Sequence, residues 1–313
     1  MLKWCVANRI QTLLGVTYPV VQAPMTYIAR AELAAAVSEA GGLGIIETLT
    51  EEGRADLRRV RELTDRPVGA NLMIQGWKRD PSIVDVLAEA GVRHVFTSAG
   101  DPALFTARLH DAAMTVVHVV GSLKGARKAL DAGVDALVVE GVEGGGFKSL
   151  LSASTMVLLP LVAEHVDLPI IAAGGICDAR SAAAAVVLGA EGVQMGTRMV
   201  SALESPVHDA WKQAIVAAAE TDTAFLRTPN GPALRALRTT TTERFEQGDG
   251  DAMRGLGGGV HAVYFEGRLE EGVALTGQVA GRIDSVRPVA AIIADTVREF
   301  EEAAARLAAQ IRD

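Results

Sequence analysis

Ala126-Arg-Lys-Ala-Leu-Asp-Ala-Gly133-Val-Asp-Ala-Leu-Val-Val139 holds one complete structural unit. Ala126, Ala129 and Leu130 recur at helical spacing. Gly133 stops that helix, because only glycine takes a positive φ at little cost. Ala136-Leu-Val-Val139 is a short apolar run fit for a buried strand. The same unit recurs along the chain. Ala31-Glu-Leu-Ala-Ala-Ala-Val-Ser-Glu-Ala40 runs into Gly41-Gly42, and Val84-Asp-Val-Leu-Ala-Glu-Ala-Gly91 ends in the same way. Working outward, eight strands are predicted at residues 20–23, 43–46, 68–72, 94–97, 115–118, 136–139, 169–172 and 192–195. Each interval leaves room for one strand, one helix and two short loops. Strands alternating with helices are parallel and joined by crossovers. Eight such units, with no G-x-G-x-x-G after the first strand, argue for a closed (β/α)8 barrel over an open doubly wound sheet.

After Met195 the rhythm breaks. Residues 206–220 read as a helix, 221–259 as a mixed segment with Gly248-Asp-Gly250 and Gly255-Leu-Gly-Gly-Gly259, and 284–313 as a long Ala/Glu/Arg helix. The expected organisation is a barrel domain at 1–205, a small lid inserted after strand eight at 206–283, and a C-terminal helix at 284–313 that closes the barrel.

Composition bounds the function. The 313 residues are 49% apolar and 22% charged, a balance that buries a sizeable core and argues against disorder. Thirty basic against 38 acidic side chains give a formal charge of −8, so a nucleic-acid partner gets no electrostatic support. Cys5 and Cys177 fit neither a disulfide framework nor a metal spacing, which favours a reducing compartment and no metal centre. Met1-Leu-Lys-Trp-Cys5 lacks the apolar stretch of a signal peptide, and the uncharged run 10–29 is broken by Pro19 and Pro24. The expectation is a soluble, cytoplasmic protein that avoids membranes.

Barrel enzymes carry their chemistry at the C-terminal strand ends. Here those ends read Gln22-Ala-Pro-Met25, Glu47-Thr48, Asn71, Thr97-Ser98, His118, Glu140-Gly-Val-Glu-Gly-Gly-Gly146, Ala173-Gly-Gly175 and Met195-Gly-Thr197. Any one of these is an ordinary turn; together they form a polar and glycine-rich rim. The paired glycine ends of strands seven and eight predict a phosphate cradle, built from backbone N–H groups where helices begin. His118 is a candidate base, since imidazole titrates near neutrality; the alternative is a packed rim histidine. Lys148 is a second candidate, against a solvated or phosphate-pairing lysine. Cys177 has no base beside it in sequence.

Nearly the whole chain resembles the nitronate monooxygenase family of FMN flavoproteins, which also contains FMN-dependent enoyl-ACP reductases and acyl-CoA-acting flavoenzymes. The resemblance rests on Pro19-Val-Val-Gln-Ala-Pro-Met25, Ala40-Gly-Gly-Leu-Gly44, Gly69-Ala-Asn-Leu72, Glu140-Gly-Val-Glu-Gly-Gly-Gly146, Ala172-Ala-Gly-Gly-Ile176, Gln194-Met-Gly-Thr-Arg198 and Gly277-Gln-Val-Ala-Gly281. It implies an FMN-loaded TIM barrel. By resemblance, Ala23, Pro24 and Met25 lie against the isoalloxazine, Asn71 hydrogen-bonds the flavin, and Gly174, Gly175, Gly196 and Thr197 bind its phosphate. Glu140 and Gly145 are assigned to the cofactor as well. The family's loop usually reads E-G-x-E-A-G-G-H, with the histidine exchanging a proton with substrate; here Phe147 stands at that position, so the proton step falls to His118, to Lys148 or to no side chain.

The main functional expectation is oxidation of a nitronate or related small carbanion with O2. The alternative is reduction or dehydrogenation of an acyl thioester on CoA or a carrier, with NAD(P)H as an optional electron donor. For that substrate Arg235, with Arg238, is a candidate phosphate partner and Phe147 a candidate substrate contact. A flavin-binding protein without catalysis, and a flavin-free barrel for a phosphorylated metabolite, complete the alternatives. A homo-oligomer is left open.

Overall fold

A computed structural model describes residues 8–228, 231–249 and 259–312. Met1-Leu-Lys-Trp-Cys5, Pro229-Asn230, Gly250, Gly255-Leu-Gly-Gly258 and Asp313 lie outside the described residues.

Eight parallel strands form the barrel: β1 (Val20–Gln22), β2 (Gly44–Glu47), β3 (Val68–Met73), β4 (His94–Ser98), β5 (Thr115–Val120), β6 (Ala136–Glu140), β8 (Ile170–Ala173) and β9 (Gly192–Met195). Their spatial order is β1-β9-β8-β6-β5-β4-β3-β2. The ring closes through a parallel bridge between Val21 and Leu43, where the Gln22 N–H donates to Leu43 O at 3.0 Å and the Leu43 N–H to Val20 O at 2.9 Å. This is the expected TIM barrel, and each strand falls within two residues of its predicted bounds.

Strand alternation sorts the side chains into two layers. Val21, Ile45, Phe96, Val117, Val138 and Ile171 fill the barrel interior, plugged from below by Ile10 and Leu14 of the helix Arg9–Leu14. Val20, Ile46, Leu72, Val95, Leu137 and Val193 face outward and pack under the surrounding helices.

A second, three-stranded antiparallel sheet stands over the barrel, in the order β10 (Thr223–Leu226), β11 (Ala233–Leu237), β7 (Gly146–Lys148). The sequence predicts a glycine loop at β7, not a strand. Phe147 pairs with Leu234 and Lys148 with Ala233, so a loop of the barrel supplies one edge of the lid sheet. The helix expected at 206–220 is shorter, Asp209–Ala217. The C-terminal helix begins at Val289 rather than 284, immediately after Pro288, whose ring disfavours helical geometry in the residue before it. It packs on the helices Ala179–Val187 and Ala31–Glu39, with Ile292, Ile293 and Phe300 buried. Among the described residues no helix is long and apolar enough to cross a membrane.

Candidate active site at the C-terminal mouth of the barrel

Above the apolar interior, the next inward strand positions are Asn71, Glu140 and Gln194. The Asn71 amide donates to Phe96 O at 2.7 Å and to Ser98 Oγ at 3.2 Å, while the Thr48 hydroxyl donates to Asn71 O at 2.6 Å. Gln194 is buried, and its Oε1 has no hydrogen-bond partner among the described residues. A buried amide oxygen left unpaired is costly and asks for a donor. Gln194 is not among the site residues that the sequence predicts individually. Its signal was a polar residue at an inward strand position just before Gly196-Thr197.

Gly174 and Gly175 follow β8 with φ of 80° and 83°, the left-handed region that favours glycine. A Cβ on Gly174 would stand 2.8 Å from Gly141 O, so the loops after β6 and β8 touch through bare backbone. Gly196 caps the short helix Thr197–Val200, and a Cβ there would meet only Ala23 Cβ at 3.5 Å. Among the described residues the N–H groups of Gly174, Gly175 and Gly196 donate no hydrogen bond. The Thr197 hydroxyl accepts from the Gly277 N–H at 2.9 Å, and the Gln278 N–H donates to Glu143 O at 2.9 Å. The segment after the lid thereby packs against both glycine loops.

Glu143 does not face solvent freely. Its carboxylate accepts the Thr155 N–H at 3.0 Å, at the start of the helix Thr155–His165, where a negative charge complements the helix end. The Thr155 hydroxyl reaches Gly174 O at 2.7 Å. Lys148 is buried under the same loop. Its Nζ donates to Glu140 Oε1 at 2.7 Å, to Gly145 O at 3.1 Å and to Phe147 O at 3.3 Å, which occupies all three protons. Gly145 packs edge-on to Gly277, 2.8 Å separating a would-be Cβ from the Gly277 nitrogen.

Ala23 continues the β1 ladder, its N–H donating to Met195 O at 2.9 Å, and Pro24 and Met25 form a half-buried turn at the rim. His118 is buried with its Nδ1 2.8 Å from Thr97 Oγ1, and burial lowers its pKa to about 4. Phe147 is 62% exposed. Arg235 turns inward: its Nε donates to Val142 O at 2.8 Å, its Nη1 to Thr223 Oγ1 at 3.2 Å, and its guanidinium lies 5.3 Å over Phe225. That arrangement ties the lid to the glycine loop. Arg238 pairs with Glu246 at 2.7 Å. Cys177 is buried and its thiol is pushed up to about 11, again by burial, which leaves it unreactive. No group of three metal-ligating side chains occurs among the described residues.

The mouth therefore combines glycine loops with unpaired backbone N–H groups, an apolar floor and a buried amide oxygen, among the described residues, on a TIM barrel topped by a second, three-stranded sheet. The nitronate monooxygenase family model matches residues 7–299. The chain belongs to that family and is an oxidoreductase of it. It is 36% identical to (3aS,4S,5R,7aS)-5-hydroxy-7a-methyl-1-oxo-octahydro-1H-indene-4-carboxyl-CoA dehydrogenase of Rhodococcus jostii (strain RHA1), over 78% of this chain and 69% of that one. It is 33% identical to a nitronate monooxygenase of Pseudomonas aeruginosa, over 74% of this chain and 79% of the relative. Among solved structures, FabK from Thermotoga maritima superimposes with a TM-score of 0.90 at 38% identity, covering 97% of this chain and 99% of that one.

Proposed function

We propose that this chain is an FMN-dependent oxidoreductase whose substrate arrives already as a carbanion, a small nitronate being the representative, with O2 as oxidant. The unpaired N–H groups of Gly174, Gly175 and Gly196 beside the unpaired Gln194 oxygen carry the cofactor assignment. These residues fit FMN: the three glycines would hold its phosphate, Asn71 and Gln194 would meet polar atoms of the ring system, and Ala23, Pro24 and Met25 would flank it. Bound flavin supplies electron acceptance, a chemistry no side chain here provides.

What this chain's own side chains do supports a pre-ionised substrate. Lys148 donates to Glu140 and to two carbonyls, so its ammonium group is committed to holding the loop. His118 is neutral at pH 7, bonded to Thr97, and a weak base at a pKa of about 4. Phe147, read as the counterpart of the family histidine, exchanges no proton. A nitronate has already lost the proton that a base would remove. The mouth above the apolar interior then binds and orients it.

A second reading has one observation in its favour. The relatives from Rhodococcus jostii and Mycobacterium tuberculosis, named for dehydrogenating a carboxyl-CoA thioester, are 36% and 37% identical, slightly more than the Pseudomonas nitronate monooxygenase. In that reading the substrate is an acyl thioester, which as a saturated chain gives its electrons to the flavin (a dehydrogenase) or as an enoyl chain receives them from the flavin with NAD(P)H as the donor (a reductase).

Heat release and chromatography of the purified protein's flavin test the cofactor, and FAD or no flavin after reconstitution would overturn it. Anaerobic mixing tests the substrate. Ethylnitronate should bleach the flavin at least about 10²-fold faster than neutral nitroethane, the span of one general-base contribution. Bleaching by NAD(P)H alone, with reoxidation by an enoyl-CoA, would replace the first reading by the second.

A further inference from the structure

Three non-glycine residues among the described ones hold a positive φ: Tyr27 at 69°, Ala99 at 52° and Ala113 at 56°. Of these, Tyr27 alone carries a large side chain. Glycine takes that backbone region freely and asparagine tolerates it, whereas a bulky side chain there is an outlier. The turn itself does not ask for tyrosine. It is tied by backbone groups, the Ile28 and Ala29 N–H groups donating to Met25 O at 3.0 and 2.8 Å. Both ends are fixed to neighbouring strands, the Ala23 N–H on Met195 O and the Glu47 N–H on Ala29 O, each at 2.9 Å. A glycine at 27 would keep those bonds with less strain. What tyrosine adds is its ring.

That ring reaches away from the rim. It meets the Tyr264 ring of the helix Val260–Phe265 edge to face, with centroids 6.3 Å apart and planes at 89°. Tyr264 is buried against Trp211, 4.5 Å between centroids, and the Trp211 indole donates to Thr276 Oγ1 at 3.0 Å. Thr276 precedes Gly277, whose N–H donates to the Thr197 hydroxyl beside the glycine loops. The Tyr27 side chain thus runs from the β1 rim to the segment that follows the barrel, and it borders the space between them. It is 37% exposed, and its hydroxyl has no hydrogen-bond partner among the described residues. Strained backbone of this kind concentrates where a side chain is held for function.

We propose that Tyr27 walls the substrate compartment on its β1 side and sets the largest substrate group admitted beside the flavin. The inference rests on the FMN and carbanion reading above, in which Met25, two positions earlier, flanks the ring system. It narrows the substrate class to compact nitronates, with small groups on the reacting carbon.

Tyr27→Gly and Tyr27→Asn both suit the turn, checked by circular dichroism. Each should raise kcat/KM for cyclohexylnitronate relative to ethylnitronate at least about tenfold, the scale of a methylene-sized misfit in an apolar pocket. Each should also raise iodide quenching of the bound flavin's fluorescence at least about twofold, because removing the ring opens the compartment to solvent. Tyr27→Phe, which keeps the ring, should restore the original size ratio and quenching. If ethylnitronate leaves the unmutated protein's flavin unbleached, the carbanion reading fails, and the quenching comparison, which needs no substrate, still decides whether Tyr27 covers the compartment. Unchanged quenching in both small variants overturns the proposal. So does a size ratio that neither variant moves where ethylnitronate is oxidised, or a change that Tyr27→Phe shows equally.

Discussion

Gly174 and Gly196, both proposed to hold the cofactor's phosphate, are glycine for different reasons, and substitution separates them. Gly174 is held at a positive φ and a Cβ would press on Gly141 O, so Gly174→Ala should lower stability by about 1–3 kcal/mol whether or not a cofactor is present. Gly196 has a negative φ of −99° and room for a Cβ. Gly196→Ala should therefore fold with a nearly unchanged melting temperature in the flavin-free state and lose flavin at least about tenfold more readily. Equal flavin retention in a folded Gly196→Ala protein would put the phosphate elsewhere. At His118 the expectation is a pH profile. With its pKa lowered to about 4 by burial, it stays neutral from pH 5.5 upward, so kcat/KM on a nitronate should show no inflection near 6.5. Phe147→His should raise turnover of neutral nitroalkanes, by up to about 10²-fold, while flavin remains bound.

At the scale of elements, the Lys148–Glu140 pair fixes the loop between β6 and β7. Glu140 ends a barrel strand and Lys148 ends a lid strand, so the 2.7 Å contact joins barrel to lid. Lys148 is buried, while the Glu140 side chain is 26% exposed and keeps part of its hydration. Lys148→Met should therefore cost about 1–3 kcal/mol, less than a fully buried pair would. The double variant Lys148→Met/Glu140→Gln should recover part of that loss, because it removes the stranded carboxylate as well. Urea unfolding of the four proteins measures the coupling, and strict additivity would mean that the two groups do not act together. This element was not legible in the sequence. Gly146-Phe-Lys148 is three residues long, begins with glycine, and becomes a strand only by pairing with Ala233-Leu-Arg235.

Across the whole molecule, two histidines couple stability to acid. His94, at the start of β4, is half-buried and His118 is buried, and desolvation lowers each pKa to about 4. In the unfolded chain each titrates near 6.5. Between those values the unfolded state binds more protons, so stability rises with pH. It is fully present above pH 6.5 and lost as pH falls toward 4, by up to about 3 kcal/mol for each histidine. Urea midpoints at pH 7, 5.5 and 4.5 should decline in that order, and His94→Leu should make the decline shallower. A flat series would show that the two rings are not held neutral by the fold.

The sequence by itself determined the barrel, its eight strands and the glycine-rich rim. Hydrophobic period, glycine stops and strand lengths are local properties, written into neighbouring residues such as those around Gly133 and Gly91, and helices and strands of this kind follow from local backbone preference and burial. Membership of the nitronate monooxygenase family followed from the order of such local motifs. Tertiary structure alone decided where the polar atoms end. It left Gln194 without a partner, closed Lys148 onto Glu140, turned Arg235 onto Val142 O, 93 positions away, and left Leu151 in water. Those outcomes depend on which distant backbone groups arrive beside each side chain, and a one-dimensional pattern records the side chain but not its neighbours.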